Sequence, residues 1–466
     1  MNKKKLLSLI LVLALVPFAL SACAKEEATP EAPAPEPTDM PMPEPTDAPA
    51  PEPSVDPSGQ TVTFWHVWGA GSEADVLTAL VEEFNATNEW GITVVALDQG
   101  RYGDVENAMN AAIQSGDVPT TVVGYGNVLS SWEQVGVMAD FNDFVHDATF
   151  GLTDEEYAAV YEANLTGGVT AGGVRVGWPI SQSANVLFYN ATWAKELGFE
   201  SPPANSAEFK EQACAAAEAN NSDDDPDNDG TGGLVLYAGA SNVASWVFAF
   251  GGGFMNDTGD GYNFNNDVVK DVAVFLKDLQ DSGCTLTTEG YPNPEFATRK
   301  ALFTMSSTAG LNHQYAAFEE AGSSDEWTLL PFVGPDGTKS VNAFGQYIGI
   351  VKSTPEQDLA TWLFIRYLTS PEVQAQWYAS SNYYPTNSST IGLMGDFATE
   401  NPLWTLGLEY SGMYGQAEPN LPSWSTVRRA VGDAFQKILQ AEDADAIVTL
   451  LEELDGTAAE AVADTQ

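Results

Sequence analysis

The most constraining stretch of this chain is a continuous apolar run near its centre. Val186 to Tyr189 reads Val-Leu-Phe-Tyr, and Asn190 follows it at the head of an amphipathic segment. An apolar run bounded by turn residues is typical of a strand that is buried on both faces. Asparagine is a favourable helix N-cap. The stretch therefore predicts a short polar loop after Trp178-Pro179, then a buried strand and a capped helix, as in an α/β core.

The region that precedes this stretch alternates between strand and helix patterns. Three segments read as strands: Thr61 to Trp68, Ile92 to Leu97 and Thr120 to Val123. Helical patterns separate them, and this alternation predicts a parallel sheet. Ligands of such sheets bind beyond the carboxyl ends of the strands. Trp68, Tyr102 and Tyr125 lie in the corresponding loops, so they are candidate ligand-binding residues.

Three short motifs carry a resemblance to a known family. Pro179-Ile180-Ser181 followed by Val186 to Asn190 resembles the signature of the family 1 extracellular solute-binding proteins, the receptors that feed ABC importers. Asn382-Tyr383-Tyr384-Pro385 resembles the family's loop at the rim of the ligand cleft, with Asn382 in place of the usual glycine. Glu418 to Ala430 is similar to the closing motif of the maltodextrin-binding branch.

The resemblance implies a fold as well as a function. The expected fold class is α/β and periplasmic-binding-protein-like, with two lobes, a three-segment hinge and a ligand cleft between the lobes. The N-terminal lobe would comprise residues 60–175 and 310–351. The C-terminal lobe would comprise residues 176–309 and 352–466. Ligand would stabilise the closed state by touching both lobes.

The closing motif implies a carbohydrate site. In the maltodextrin-binding branch a tryptophan four residues before an arginine stacks on a sugar ring, and Trp424 occupies that position ahead of Arg428. Sugar rings have apolar faces and polar edges, which suits an aromatic platform with hydrogen-bonding neighbours. The resemblance adds Gly345, in a segment expected to cross between the lobes. Trp246 is a further candidate that would face either the cleft or the core.

A second branch of the same family gives an alternative ligand. The chain also resembles the glycerol-3-phosphate-binding receptors, in which four positions would contact ligand: Tyr102, Ser183, Tyr383 and Arg428. Gly126 stands where that branch has an acidic residue, and that branch lacks a tryptophan at position 424. A neutral carbohydrate is therefore the favoured ligand, with glycerol-3-phosphate or a glycerophosphodiester as the alternative.

The N-terminus reads as an export signal with a lipid anchor. Lys3 to Lys5 precede an apolar run, and Leu20-Ser21-Ala22-Cys23 matches the lipobox of bacterial lipoproteins. Residues 1–22 would be a signal peptide, and Cys23 would carry acyl chains that hold the protein on the outer face of the cytoplasmic membrane. Residues 23–59 contain 11 of the 27 prolines in the chain, which predicts an extended, disordered tether.

Two smaller features involve acidic and sulfur-containing side chains. Asp225, Asp227 and Asp229 have the spacing of a calcium loop, although Leu236 stands where a bidentate glutamate is expected. The sequence leaves a calcium site and a solvated acidic turn equally open. Cys214 and Cys284 form a disulfide if the exported chain is oxidised, and two free buried thiols are the alternative.

Composition excludes several classes of partner. The formal net charge is −47, which disfavours nucleic acid and anionic lipid because neutralising phosphates needs clustered basic residues. The three histidines show no metal spacing, and no catalytic motif such as GxSxG is present. We therefore expect a monomeric receptor, not an enzyme, with no required cofactor and with the permease and ATPase on separate chains. A surface glycoside hydrolase or an adhesin is the alternative from another class.

Overall fold

The computed structural model describes residues 55–288 and 290–465. Its strands are β1 (Thr61–His66), β2 (Thr93–Asp98), β3 (Thr121–Gly124), β4 (Trp178–Asn190), β5 (Gly232–Val235), β6 (Thr285–Leu286), β7 (Ala301–Ser307), β8 (Trp327–Leu330), β9 (Phe332–Val333), β10 (Lys339–Ile350) and β11 (Gly415–Ala417). Cys23 and the predicted signal peptide lie outside the described residues, as does most of the predicted tether.

Helices connect nearly all of these strands. They are α1 (Gly71–Thr87), α2 (Tyr102–Ser115), α3 (Gly126–Gln134), α4 (Asn142–Val145), α5 (Asp154–Ala159), α6 (Glu162–Gly167), α7 (Ala191–Glu196), α8 (Ser206–Ser222), α9 (Ala240–Ala249), α10 (Asp267–Asp281), α11 (Asn293–Ala297), α12 (Leu311–Ala321), α13 (Pro355–Leu368), α14 (Pro371–Ser381), α15 (Ser388–Ile391), α16 (Gly395–Glu400), α17 (Pro402–Tyr414), α18 (Trp424–Ile438) and α19 (Ala444–Ala463). No helix within the described ranges combines the length and apolar character that a membrane crossing needs.

The main sheet has the strand order β2-β1-β3-β10-β4-β7-β5-β6. Strand β1 pairs in parallel with both β2 and β3, so the parallel sheet predicted from the alternation is confirmed. Strand β10 then runs antiparallel to β3 on one side and to β4 on the other. The long strands β4 and β10 thus join the first group of strands to the later group.

Strand β4 is buried on both faces, as its apolar run predicts. Val186 and Phe188 pack into one apolar core, whereas Leu187 and Tyr189 pack into another, because successive side chains of a strand point to opposite faces. Asn190 caps α7 by accepting a hydrogen bond from the Trp193 backbone N–H at 2.9 Å, which confirms the predicted cap.

The loop expected after Trp178-Pro179 is not a loop. Strand β4 begins at Trp178, and the pairing of β4 with β10 is irregular between Gln346 and Tyr347, beside Pro179. Proline has no backbone N–H to donate to a ladder, and one extra residue on β4 itself, Ile180, lies unpaired between Pro179 and Ser181 as a β-bulge. The strand therefore continues through a residue that the sequence pattern reads as a break.

Two apolar cores flank the central strands. One core contains side chains of β1, α1, α13 and α14, and the other contains side chains of α8, α9, α10, α18 and α19. Each core thus combines helices with strands of the same sheet. The lobe boundaries expected at residues 175, 310 and 351 stay a prediction.

A disulfide ties helix α8 to the start of the short edge strand β6. Cys214 and Cys284 are bonded, with their Cα atoms 4.5 Å apart and a sequence separation of 70. Closing a loop of this length stabilises the folded state by roughly 4 kcal/mol in the chain-entropy model. The short strand β6 is therefore held to the body of the protein by a covalent link as well as by its pairing with β5.

The opposite edge of the sheet is covered by two asparagine side chains. Asn85 accepts a hydrogen bond from the Val94 N–H and donates one to the Val94 carbonyl, at 2.7 and 3.0 Å. Asn88 does the same for Ile92, at 2.8 and 2.9 Å. These amides occupy backbone groups that a further strand would otherwise pair with.

The loop Asn382 to Pro385 has an asparagine where the family's loop usually has a glycine. Asn382 adopts a left-handed conformation with φ 56° and ends helix α14. Asparagine enters this region more readily than other residues with a side chain. The family-like loop Asn382 to Pro385 therefore keeps the backbone geometry that glycine would provide.

Candidate functional site

A cavity of about 740 Å³ opens between helices that pack on different cores. The first turns of α2 and α3, together with β10, line one side. The beginning of α9 and most of α18 line the other side. Helices α9 and α18 pack in one apolar core, whereas α2 and α3 pack against a separate cluster that includes Met109 and Trp132. A ligand in this cavity touches elements of both groups.

Two neighbouring tyrosines belong to the aromatic part of the wall, to which Tyr237, Phe344 and Tyr347 also contribute. The ring centroids of Tyr102 and Tyr125 lie 4.6 Å apart, and Phe344 lies 6.4 Å from Tyr125. Burial raises the pKa of both tyrosine hydroxyls, so each remains a neutral hydroxyl near pH 7. The Tyr102 hydroxyl itself is buried and lies beside the hydroxyl of Tyr383.

Glu418 is the centre of the polar network in the cavity. Its Oε1 accepts hydrogen bonds from Ser241 Oγ at 2.7 Å and from Asn342 Nδ2 at 2.8 Å. Its Oε2 accepts from Trp424 Nε1 at 2.8 Å and from Arg428 Nε at 2.7 Å. Four donors, which lie on β10, α9 and α18, thus bond to one carboxylate.

The charge of Glu418 is held in place by Arg428. Burial on its own would raise the pKa of the Glu418 carboxyl, but the charge of Arg428 and hydrogen bonds from Ser241 and Asn342 lower it overall. The Arg428 guanidinium also donates to Ser241 Oγ and lies 5.9 Å from the centre of the Tyr125 ring. The ion pair therefore sits beside the aromatic wall.

A second acidic side chain joins the two sides of the cavity. Glu106, on α2, accepts hydrogen bonds from Ser425 Oγ and from Arg429 Nη1, the latter at 3.5 Å. Ser425 and Arg429 both belong to α18. This contact bridges elements that lie on opposite sides of the cavity, and we call it the Glu106 latch.

Five of the nine predicted ligand-binding residues line the cavity: Tyr102, Tyr125, Gly345, Trp424 and Arg428. They come from four separate parts of the chain, and the fold brings them together. The segments that follow the parallel strands thus place Tyr102 and Tyr125 at the cavity, and their contact with a ligand stays a prediction.

Trp68, Ser183 and Tyr383 lie behind the wall, and their side chains do not line the cavity. Trp68 Nε1 donates to the Tyr383 hydroxyl at 3.3 Å, and both rings are buried with Trp377. Ser183 Oγ accepts from Gln346 Nε2 at 3.3 Å. The expected direct ligand contact is corrected for these three residues, because protein side chains already surround them.

Trp246 belongs to the core and does not face the cavity. It is 0% exposed, and its ring lies 4.9 Å from Phe209 and 5.1 Å from Phe332. The apolar sequence around it fits a buried helix, and α9 turns this face toward the sheet. The prediction of a ligand contact for Trp246 is therefore wrong.

Trp424 lies at the cavity, but almost all of its ring is buried. Only 2% of its surface is exposed, and the ring lies between Phe254 and Tyr262, at centroid distances of 5.7 and 5.6 Å. Its Nε1 donates to Glu418. In this state Trp424 offers little aromatic face for a sugar ring, and its contact with the site runs through Glu418.

Four residues of the site were missed in the sequence, although two of them have a signal there. Glu418 is the first residue of the closing motif, ten positions before Arg428. Glu106 follows Tyr102 by four residues on α2, so the two side chains share one helix face. Ser241 and Asn342 carry no comparable signal, because hydroxyl and amide residues are common throughout the chain.

The acidic loop with the spacing of a calcium site forms a hydrogen-bonded turn. Within the described residues, no group of three or more histidine, cysteine, aspartate or glutamate side chains converges as a metal ion requires. Instead, Asp225 Oδ1 accepts the backbone N–H of Asp227 at 3.1 Å, and Asp223 accepts from Asp225 and Asn228. The carboxylates bond their own turn in this arrangement, and calcium binding by Asp225, Asp227 and Asp229 stays a prediction.

Comparison with known families decides the class of protein. Residues 79–402, well over half of the chain, match the model of a family described as bacterial extracellular solute-binding protein. The chain belongs to this family. The resemblance seen in the motifs is therefore confirmed, and the protein is a solute-binding protein that acts outside the cytoplasm. No curated protein sequence matches the chain.

Solved structures share the fold of this solute-binding protein at low sequence identity. A cyclic α-maltosyl-1,6-maltose binding protein from Arthrobacter globiformis has a TM-score of 0.70 and 20% identity, covering 87% of this chain and 99% of its own. UgpB from Mycobacterium tuberculosis, in complex with glycerophosphocholine, has a TM-score of 0.73 and 18% identity, covering 86% and 99%.

A third similar structure is the maltose/maltodextrin-binding domain MalE from Bdellovibrio bacteriovorus, bound to maltotriose. Its TM-score is 0.70 at 19% identity, and the match covers 86% of this chain and 99% of that one. At such identities the likeness shows the fold alone. The solute-binding protein has the two-lobed α/β fold of the periplasmic binding proteins, as expected from its sequence.

Proposed function

We propose that this solute-binding protein captures a neutral carbohydrate by cleft closure and delivers it to an ABC importer. The observation that carries the proposal is the pairing of charges in the cavity. Both arginines that line the cavity contact a glutamate, Arg428 with Glu418 and Arg429 with Glu106. A neutral polyol needs no free charge, whereas a phosphate ester does.

The sum of the lining charges supports the same ligand class. Three carboxylates and two guanidinium groups line the cavity, namely Glu106, Glu418, Asp433, Arg428 and Arg429, so their net charge is −1. A phosphate monoester would be repelled by this charge. The remaining polar wall consists of neutral amides and hydroxyls beside two tyrosines, which is the chemistry that matches a sugar's polar edges and apolar faces.

The alternative ligand is glycerol-3-phosphate or a glycerophosphodiester. One observation favours it: the guanidinium of Arg428 lines the cavity next to Tyr125, and UgpB, whose fold is similar, binds glycerophosphocholine. A phosphodiester carries less negative charge than a monoester, and its choline cation suits an aromatic wall. Both ligand classes would occupy the same cavity.

A calorimetric titration tests the choice between these ligands. We expect maltotriose or a related neutral oligosaccharide to bind, and glycerol-3-phosphate to bind at least tenfold more weakly, because the lining charge is negative. Tyr125→Ala should weaken sugar binding roughly ten- to a hundredfold through loss of the aromatic face. Tighter binding of glycerol-3-phosphate or glycerophosphocholine than of any neutral sugar would contradict the proposal.

The same titration separates a receptor from an enzyme or an adhesin. A receptor binds its oligosaccharide without releasing products, and it closes around the ligand. A glycoside hydrolase would release shorter sugars during prolonged incubation, which chromatography of the incubated ligand detects. An adhesin would bind without any change in radius of gyration, which small-angle X-ray scattering measures.

We propose that the protein is a monomer anchored to the outer face of the cytoplasmic membrane through Cys23. The lipobox supports the anchor, and the proline-rich segment after it would separate the lipid from the ligand site. Cys23→Ser should move the protein from the membrane fraction to the soluble fraction without changing ligand affinity. Retention of this variant in washed membranes would rule the anchor out.

A further inference from the structure

Glu418 pairs with Arg428, so its carboxylate partly neutralises the positive charge that Arg428 presents to a ligand in the cavity. We propose that Glu418 is the specificity-determining residue that makes this cavity reject anionic ligands. The inference rests on the proposed function, since both place the ligand beside Arg428. It goes further by assigning the exclusion of anions to a single side chain.

The geometry shows why the carboxylate acts on the ligand through Arg428. Glu418 is largely covered, with 11% of its side chain exposed, whereas 35% of the Arg428 side chain is exposed. Arg428 uses Nε for Glu418 and Nη2 for Ser241. A guanidinium has five N–H donors, and the described residues offer no acceptor to Nη1. A ligand in the cavity therefore meets donors whose positive charge Glu418 compensates.

The second ion pair in the cavity is arranged differently. Arg429 is 58% exposed, and its Nη1 lies 3.5 Å from Glu106. Solvent screens exposed pairs strongly, so they contribute little to the local field. The pair of Glu418 and Arg428 is shorter, at 2.7 Å, and more buried. Of the two glutamates, Glu418 therefore has the greater effect on anion binding.

Glu418→Gln removes the charge and retains the shape of the side chain. The glutamine carbonyl replaces Oε2 as acceptor for Trp424 and Arg428. Its amide replaces Oε1 and donates to Ser241 Oγ, so Asn342 Nδ2 loses one of its two acceptors. Asn342 Nδ2 keeps its hydrogen bond to the Ser241 carbonyl at 3.2 Å. The variant is therefore expected to fold, because each buried group retains a partner.

The test compares glycerol-3-phosphate and maltotriose binding by the full chain and its variants. E418Q should bind glycerol-3-phosphate at least tenfold more tightly than the parent protein, with an affinity that falls as salt rises. E106Q removes the same charge at the other arginine and should show a smaller gain when glycerol-3-phosphate affinity is divided by maltotriose affinity, a ratio in which any effect on closure cancels. E418Q combined with R428Q should lose the gain, because the freed guanidinium is what attracts the phosphate.

Several outcomes would overturn the assignment. One is an unchanged affinity of folded E418Q for glycerol-3-phosphate, and another is an equal gain in E106Q. Strong binding of glycerol-3-phosphate by the parent protein would instead contradict the proposed function, so the two failures are distinguishable. If E418Q does not fold, R428Q supplies the reverse test. Its uncompensated carboxylate should raise the preference for glucosamine, a cation, over glucose at least tenfold, and an unchanged preference would overturn the inference.

Discussion

The indole of Trp424 contacts both the apolar core and the polar network. Its ring lies between Phe254 and Tyr262, and its Nε1 donates to the carboxylate of Glu418. The first contact contributes to stability, and the second orients the carboxylate that holds Arg428. A substitution that removes only the packing or only the hydrogen bond therefore affects either unfolding or ligand binding more strongly.

Trp424→Ala should lower the free energy of unfolding by about 3 to 5 kcal/mol, because truncating a buried tryptophan leaves a cavity. Trp424→Phe should retain most of the packing but lose the hydrogen bond to Glu418. We expect the phenylalanine variant to bind the best ligand several-fold more weakly, since Arg428 is then less firmly held. Denaturant melts and titrations measure the two effects.

Trp246→Phe is the matched control for this prediction. Trp246 is fully buried in the same apolar core as Trp424, and its Nε1 has no partner within the residues that the structure describes. The same substitution there should leave ligand affinity unchanged. Equal affinities for the Trp424→Phe variant and the parent protein would show that the indole N–H has no part in the site.

For single residues, the sequence predicts which residues lie near the cavity better than it predicts which neighbours their side chains contact. The closing motif places Trp424 and Arg428 at the cavity, but the platform it implies for Trp424 depends on which ring face is open. Phe254 and Tyr262 cover the ring, and no local pattern connects residues so distant in the chain. Trp246 shows the same limit, because an apolar helix next to a cleft and one within a core have similar sequences.

Among the elements, strand β4 is the best predicted because its own sequence determines its environment. A run of apolar residues with no polar alternation requires cover on both faces, and two cores provide it. The start of β4 was less predictable. Proline usually breaks a ladder, and the bulge at Ile180 beside Pro179 forms only in the pairing of β4 with β10, a strand far along the sequence.

The first turn of α13 contains a carboxyl that gives the stability a pH dependence. Asp358 accepts the Ser353 N–H at 2.9 Å, and burial raises its pKa from near 3.8 to about 6. The folded state thus holds this proton more tightly than the unfolded state does. Its contribution to the free energy of unfolding falls as pH rises from about 4 through about 6.

Asp358→Asn should remove this contribution while keeping an acceptor for Ser353. Since the group is only half-buried, we expect the variant to be more stable than the parent protein by about 1 kcal/mol at pH 7. The two should melt alike at pH 4 or below. Denaturant melts at both pH values measure the difference. Glu356→Gln, in the same turn, is the control, and an equal gain from it at pH 7 would contradict the assignment to Asp358.

For the whole molecule, the central question is what holds the two sides of the cavity together when no ligand is bound. The Glu106 latch joins α2 to α18 through residues separated by 319 positions in sequence. The overall fold could be predicted from alternation and family motifs, because these depend on short stretches. The latch could not, since it depends on how two distant helices meet after folding.

Glu106→Gln should weaken the latch, because the carboxylate accepts from both Ser425 and Arg429. Losing a charged acceptor of this kind corresponds to about 1 kcal/mol, or roughly a fivefold change in an equilibrium constant. We expect ligand to dissociate several-fold faster and the ligand-free protein to have a larger radius of gyration. Stopped-flow kinetics and small-angle X-ray scattering measure these changes.

Glu155→Gln is the control for the latch, because Glu155 is an exposed glutamate on α5. It should change neither measurement. If Glu106→Gln also leaves dissociation and radius unchanged, the contact between α2 and α18 does not determine closure.

The asparagine cover on strand β2 has a consequence for receptors displayed side by side. Proteins tethered to a membrane diffuse in two dimensions, where neighbouring copies collide far more often than in dilute solution. An open strand edge would let such collisions grow into intermolecular sheets. Because Asn85 and Asn88 already occupy the Val94 and Ile92 backbone groups, we expect copies crowded together by the anchor proposed at Cys23 to separate again after they meet at that edge.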